Sequence, residues 1–144
     1  MKEKVTIKDA PKERFVYLLI DKFSHKKAMP VVNQLLVWLI EKEITISDLP
    51  FVVIKENGAE IGIPIKDAKL QETKEYKIDN LGAHRVGSIF HRESDKPLDI
   101  SERYLERQLK YDGFKLLEPR RYILHPNPQT PEMPLLEIQI PIHK

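Results

Sequence analysis

Residues 136–142 read Leu-Glu-Ile-Gln-Ile-Pro-Ile, and residues 59–65 read Ala-Glu-Ile-Gly-Ile-Pro-Ile. A shared Glu-Ile-x-Ile-Pro-Ile in a chain of 144 residues points to one folding unit used twice. Side chains alternate between the two faces of a strand. Ile138, Ile140 and Ile142 therefore share one face, and Glu137, Gln139 and Pro141 the other. In the first phrase Ile61, Ile63 and Ile65 stand against Glu60, Gly62 and Pro64. The isoleucine faces are expected to lie against helices. The glutamate faces then look away from them and, where the half-sheets join, curve toward a shared groove. Proline cannot donate to a ladder, so Pro64 and Pro141 are expected at an edge or at a strand end.

Further echoes lie outward from these phrases. Ile7-Lys8-Asp9 matches Ile78-Asp79-Asn80, and the run Arg14 to Leu19 matches Arg85 to Phe90. Pro50 to Ile54 is aligned with Pro119 to Ile123. Each half reads strand, helix, strand, strand. The second has an added Pro-rich stretch from His125 to Pro134, and the polar segment 67–74 connects the two. The fold class is therefore α+β: duplicated βαββ units with pseudo-twofold symmetry, antiparallel sheets forming a cleft, and one helix per unit. The chain reads as a single domain, 1–144, with a first repeat over about 1–68 and a second over about 69–144.

Local signals place the elements. Phe15–Ile20 is apolar on both faces and reads as a central, covered strand. Pro30 suits the first turn of a helix, with Val32, Leu35, Leu36, Leu39 and Ile40 forming its apolar stripe. Asn57-Gly58 marks a hairpin. Asp99 followed three residues later by Glu102 reads as a capping box, and Gly113 as the end of that second helix.

Composition narrows the function. Net charge is +2 with mixed signs, so nothing marks an electrostatic footprint for nucleic acid. The absence of cysteine removes disulfides and thiolate chemistry and suits a cytoplasmic location. No apolar run is long enough to span a membrane. The five histidines lack metal-ligand spacing, and no phosphate loop, nucleophile elbow or dinucleotide fingerprint is present, so no metal and no cofactor is expected.

At this point the chain resembles the GyrI-like domain family, also called the AraC-type effector-binding domain. The resemblance spans nearly the whole chain. It rests on Leu81-Gly82-Ala83-His84-Arg85-Val86, on Tyr111-Asp112-Gly113-Phe114, on Glu118-Pro119-Arg120-Arg121-Tyr122, and above all on the closing phrase 136–142. It implies a ligand cleft between halves, small aromatic or cationic ligands, and a buried glutamate matching Glu137 among aromatic side chains. Many such domains are sensors attached to a helix-turn-helix reader. Here no room for a reader is seen before Val5 or after Ile142, so a stand-alone binding protein without direct DNA contact is expected.

The candidate ligand-binding residues are Glu137, Tyr122, Glu60, Trp38, Tyr17, Phe51 and Phe90. A carboxylate in a low-dielectric cleft attracts a cation, and an aromatic face beside it suits a flat cation. The leading expectation is binding of a small organic ligand without chemistry. One alternative is hydrolysis of cyclopropane-bearing DNA-alkylating compounds, with Glu137 as the catalytic group. The other is a module that binds gyrase or another protein partner, or pairs as a homodimer.

Overall fold

The structure, a computed structural model, describes residues 4–67, 69–92 and 97–144. Position 68 of the expected connector lies outside them. The elements run β1 (Thr6–Ala10), β2 (Glu13–Ile20), α1 (His25–Glu41), β3 (Phe51–Lys55), β4 (Gly58–Pro64), β5 (Lys77–Leu81), β6 (His84–His91), α2 (Leu98–Tyr111), β7 (Lys115–Leu116), β8 (Arg121–His125) and β9 (Leu135–His143). This is an α+β fold in which antiparallel strands curl into a half-barrel cleft.

The strand order is β1-β6-β9-β8-β3-β4-β2-β5, with short β7 also on β9. Read from either end, it is the same under exchange of β1 with β5, β6 with β2, β9 with β4 and β8 with β3. The two half-sheets meet where β3 pairs with β8, with Val52 opposite Tyr122 at the centre. The leading strands are exchanged. β1 pairs with β6 of the second half, and β5 pairs with β2 of the first. Pairing also moves one sequence echo by a residue: Val53 lies opposite Glu60, and Ile123 opposite Glu137. Val53 therefore corresponds to Ile123, not to Tyr122.

The isoleucine faces form the core. Ile61, Ile63, Ile138 and Ile140 are fully buried with Val32, Leu35 and Leu39 of α1 and Leu105 and Leu109 of α2. A second, smaller cluster of Phe15, Phe51 and Val53 lies on the other face of the sheet, with Tyr17, Leu81 and Ile123 packed against it.

Several local expectations are corrected. α1 begins five residues before Pro30, because Ser24 caps it by accepting from the Lys27 N–H at 3.3 Å. Ile40 is 70% exposed, so the stripe is completed by Ala28 in the added first turn. α2 has no capping box. Its N-cap is Pro97, and Glu102 turns instead toward Arg120 and Tyr122. β2 lies one strand in from the edge, between β4 and β5, and Leu19 on it is exposed. β4 and β9 are interior strands, with Pro64 ending β4 and Pro141 near the end of β9. Gly58 opens β4 at φ +148°, where a Cβ would stand 2.6 Å from the Ile20 carbonyl oxygen, so the hairpin needs glycine here.

Candidate functional site

Glu137 projects from β9 onto the helix-free face and is 3% exposed. Strand pairing surrounds it with polar neighbours. The Ser88 hydroxyl donates to Oε2 at 2.7 Å and the Gln139 amide donates to the same oxygen at 2.9 Å. His125 Nε2 lies 2.8 Å from Oε1. The Lys8 ammonium, reaching across from β1, pairs with Oε2. Burial by itself would raise the carboxyl pKa. The bonds from Lys8, Ser88, Gln139 and His125 outweigh it and hold the group down at about 2. Glu137 is thus ionised and already neutralised by a cation from its own chain.

Beside it lies a cavity of about 260 Å³ whose lining includes Lys8, Glu13, Phe51, Arg121, Ile123 and Glu137. The Arg121 guanidinium stands 5.1 Å from the centre of the Phe51 ring and donates from Nε to Gln139 at 2.7 Å. Desolvation lowers the Arg121 pKa, and Glu13, Glu137 and Asp48 oppose it. Burial raises Glu13, with Arg121 pulling the other way. Phe51, 1% exposed, is therefore covered by an internal cation and offers no open ring face here.

Glu60 occupies the position on β4 that Glu137 occupies on β9. It is 7% exposed, and its Oε1 has no hydrogen-bond partner among the described residues. Burial raises its pKa; Lys55 lowers it and Asp79 raises it further. Tyr17 lies on the same face, two residues along β2 from Leu19, which is the cross-strand neighbour of Glu60. The phenol pKa of Tyr17 is raised by desolvation first and by Glu60 next. Phe90, opposite Glu137 on β6, is half exposed, with its ring 5.0 Å from that of His125.

Two expected cleft residues lie elsewhere. Tyr122 pairs with Ile138, so strand parity turns it to the helix side. There it donates its hydroxyl to Glu102 and meets Phe23 edge-on at 5.3 Å. Burial and this bond push its pKa far up. Trp38 stacks on Tyr76 at 4.3 Å, outside the cleft. Sequence reasoning passed over Lys8, Ser88, Arg121, His125 and Gln139. Gln139 shares parity with Glu137, and that signal was available. Lys8 and Arg121 could be found only from strand pairing between distant segments.

A larger cavity of about 600 Å³ lies under the Pro-rich segment, lined by Arg92, Asn127 to Thr130 and Met133 to Leu135. Among the described residues that line it there is no carboxylate. Among the described residues no group of three or more histidine, cysteine or acidic residues could hold a metal, and no helix is long and apolar enough to cross a membrane.

No family model and no curated protein matches the chain. Solved structures do. The EcmrR C-terminal domain superposes with a TM-score of 0.74 at 14% identity, covering 100% of this chain and 99% of that one. The chain shares its fold with the EcmrR C-terminal domain, the fold expected from the GyrI-like resemblance. In the EcmrR–DNA complex the match is again 0.74, at 20% identity, and the chain spans 58% of the EcmrR chain. A hydrolase from Listeria innocua matches at 0.64 and 10% identity, covering 99% of this chain and 93% of that one. SAV2435 bound to tetraphenylphosphonium matches at 0.50 and 10% identity, covering 99% and 94%.

Proposed function

We propose that this protein binds small organic cations, aromatic ones in particular, in the cleft on the helix-free face of its sheet. The observation that carries the reading is the pair of buried carboxylates, Glu60 and Glu137, on one concave face beside the half-buried ring of Tyr17 and the half-exposed ring of Phe90. A carboxylate held in such a place favours a cation, and aromatic side chains favour the apolar part of the same molecule. Among the solved structures of similar fold, SAV2435 bound to tetraphenylphosphonium, an organic cation, supports the reading in kind.

Binding is favoured over hydrolysis by the state of Glu137. A general base works best with a pKa near the operating pH. A carboxylate held at about 2 by four donors is a weak base and has little spare acceptor capacity for a water.

The test is titration calorimetry of the full chain with tetraphenylphosphonium and with neutral triphenylphosphine oxide. The cation is expected to bind at least ten-fold more tightly. That preference should vanish when Glu60 and Glu137 are both changed to Gln. Equal affinity for the two compounds, or binding of neither, would refute the reading.

A further inference from the structure

The two halves of the cleft carry the same glutamate in opposite circumstances. Strand pairing matches β1 with β5, β2 with β6, β3 with β8 and β4 with β9. Each partner of Glu137 therefore has a counterpart beside Glu60. Lys8, opposite Val86, corresponds to Asp79, opposite Phe15. Ser88, opposite Gln139, corresponds to Tyr17, opposite Gly62. His125 corresponds to Lys55, at the matching end of β3.

The exchange removes what satisfies the carboxylate. The ammonium of Lys8 becomes a carboxylate. The amide of Gln139 becomes Gly62, where the Phe15 ring takes the space: a Cβ there would stand 2.6 Å from Phe15 Cδ2. Lys55 is exposed. Glu60 is left more than nine-tenths buried with an unpartnered oxygen, next to a second acidic residue. A buried carboxylate in this state is costly unless something donates to it.

From this exchange we infer that the Glu60 half is the ligand subsite of the cleft, and that its ligand carries an ammonium group where Lys8 serves Glu137. The inference rests on the binding function proposed above and specifies its ligand: a small amine, protonated, with an apolar or aromatic body. Tyr17 flanks the carboxylate and is half-buried, so its ring is the aromatic surface a ligand body can lie against; the fully buried rings of Phe15, 5.6 Å from it, and Phe51, a further 5.0 Å on, back it from below. Leu19, the cross-strand neighbour of Glu60, is 68% exposed and adds apolar surface beside the carboxylate. The charged and titratable groups facing this half include Tyr17 on β2, Lys55 on β3, Lys77 and Asp79 on β5, and Glu72 just before β5. Among the described residues Lys55, exposed at the end of β3, is the one cation that lowers the Glu60 pKa and the one a ligand must compete with.

The experiment is titration of the full chain with 2-phenylethylammonium, beside tetraphenylphosphonium as the general probe. Glu60→Gln should weaken the ammonium at least ten-fold, whereas Glu137→Gln should change it less than three-fold. Wild-type affinity should rise between pH 4 and pH 7, because burial keeps Glu60 protonated at the lower end; Glu60→Gln should show no such rise. A second variant tests the same idea without touching Glu60. Asp79→Lys, at an exposed position, should supply an internal ammonium and abolish 2-phenylethylammonium binding.

Unchanged affinity in both Glu60→Gln and Asp79→Lys would overturn the assignment. So would a loss confined to Glu137→Gln, which would mean that the ligand displaces Lys8. Failure of 2-phenylethylammonium with retained tetraphenylphosphonium binding would reject the ammonium subsite and leave the general cleft function standing. Failure of both probes would reject both.

Discussion

Glu137 and Glu60 share a face of the sheet but have opposite charge surroundings, and this sets opposite responses to pH. The folded-state pKa of Glu137 is depressed from 4.5 to about 2. A depressed carboxylate contributes stability above its unfolded value and loses it as pH falls through the folded one. The window is therefore between pH 4.5 and about 2, and the amount at neutral pH is about 3 kcal/mol at most, at ~1.4 kcal/mol per unit. Glu137→Gln should destabilise the fold in urea at pH 7, with a deficit that shrinks toward pH 3. Glu60 is shifted the other way. Its contribution is fully present below the unfolded value and is lost as pH rises, so Glu60→Gln should match the wild type near pH 4 and exceed it by pH 8. Parallel midpoint curves for the two variants would contradict this difference in environment. At this scale the sequence placed both glutamates correctly, because alternation within one short phrase suffices. It misplaced Tyr122, because Arg121–Leu124 can face either way until its partner strand is known.

At the scale of elements, the helix ends show how local chemistry and position combine. Both helices close with the same pair of bonds. Gly113 N–H donates to the Lys110 carbonyl and Phe114 N–H to that of Leu109; Glu43 and Ile44 do the same to Ile40 and Leu39. Both cap residues have positive φ, +88° at Gly113 and +58° at Glu43. Glycine adopts this conformation freely and glutamate does not. Glu43→Gly should therefore stabilise the protein by about 0.5–1 kcal/mol, and Gly113→Ala should destabilise it by a similar amount. Thermal melts that move in the reverse directions would show that side-chain contacts outweigh the backbone. In the strands, Ile138→Ala removes a fully buried side chain and should cost roughly 2–5 kcal/mol. The elements themselves were legible from periodicity. The missed start of α1 was not, since Ser24 caps a first turn whose residues, apart from Ala28, do not continue the apolar stripe.

For the whole molecule, the exchange of β1 and β5 decides which half of the cleft has its own cation. No pattern within 144 residues announces that β1 belongs by pairing to the other half; the contact of Thr6 with Ser88 spans most of the chain. Yet that exchange carries Lys8 to Glu137 and Asp79 toward Glu60. The asymmetry then has a consequence for stoichiometry. If Lys8 fills one of two equivalent positions, removing its ammonium should open that position. Lys8→Met keeps the length and the apolar stem of the side chain and deletes only the charge. The side chain is 41% exposed, so the fold should tolerate the change. Wild-type protein is expected to bind one 2-phenylethylammonium, at Glu60. Lys8→Met should bind two, the second being lost again when Glu137→Gln is added. The same variant should raise the Glu137 pKa from about 2, because one of the groups holding it down is gone. Calorimetric stoichiometry together with a carboxyl titration by NMR reads both effects. A Lys8→Met protein that still binds one cation, with Glu137 titrating higher, would mean that Ser88, Gln139 and His125 alone keep ligands from Glu137. In that case the internal ammonium stabilises the sheet and does not stand in for a ligand.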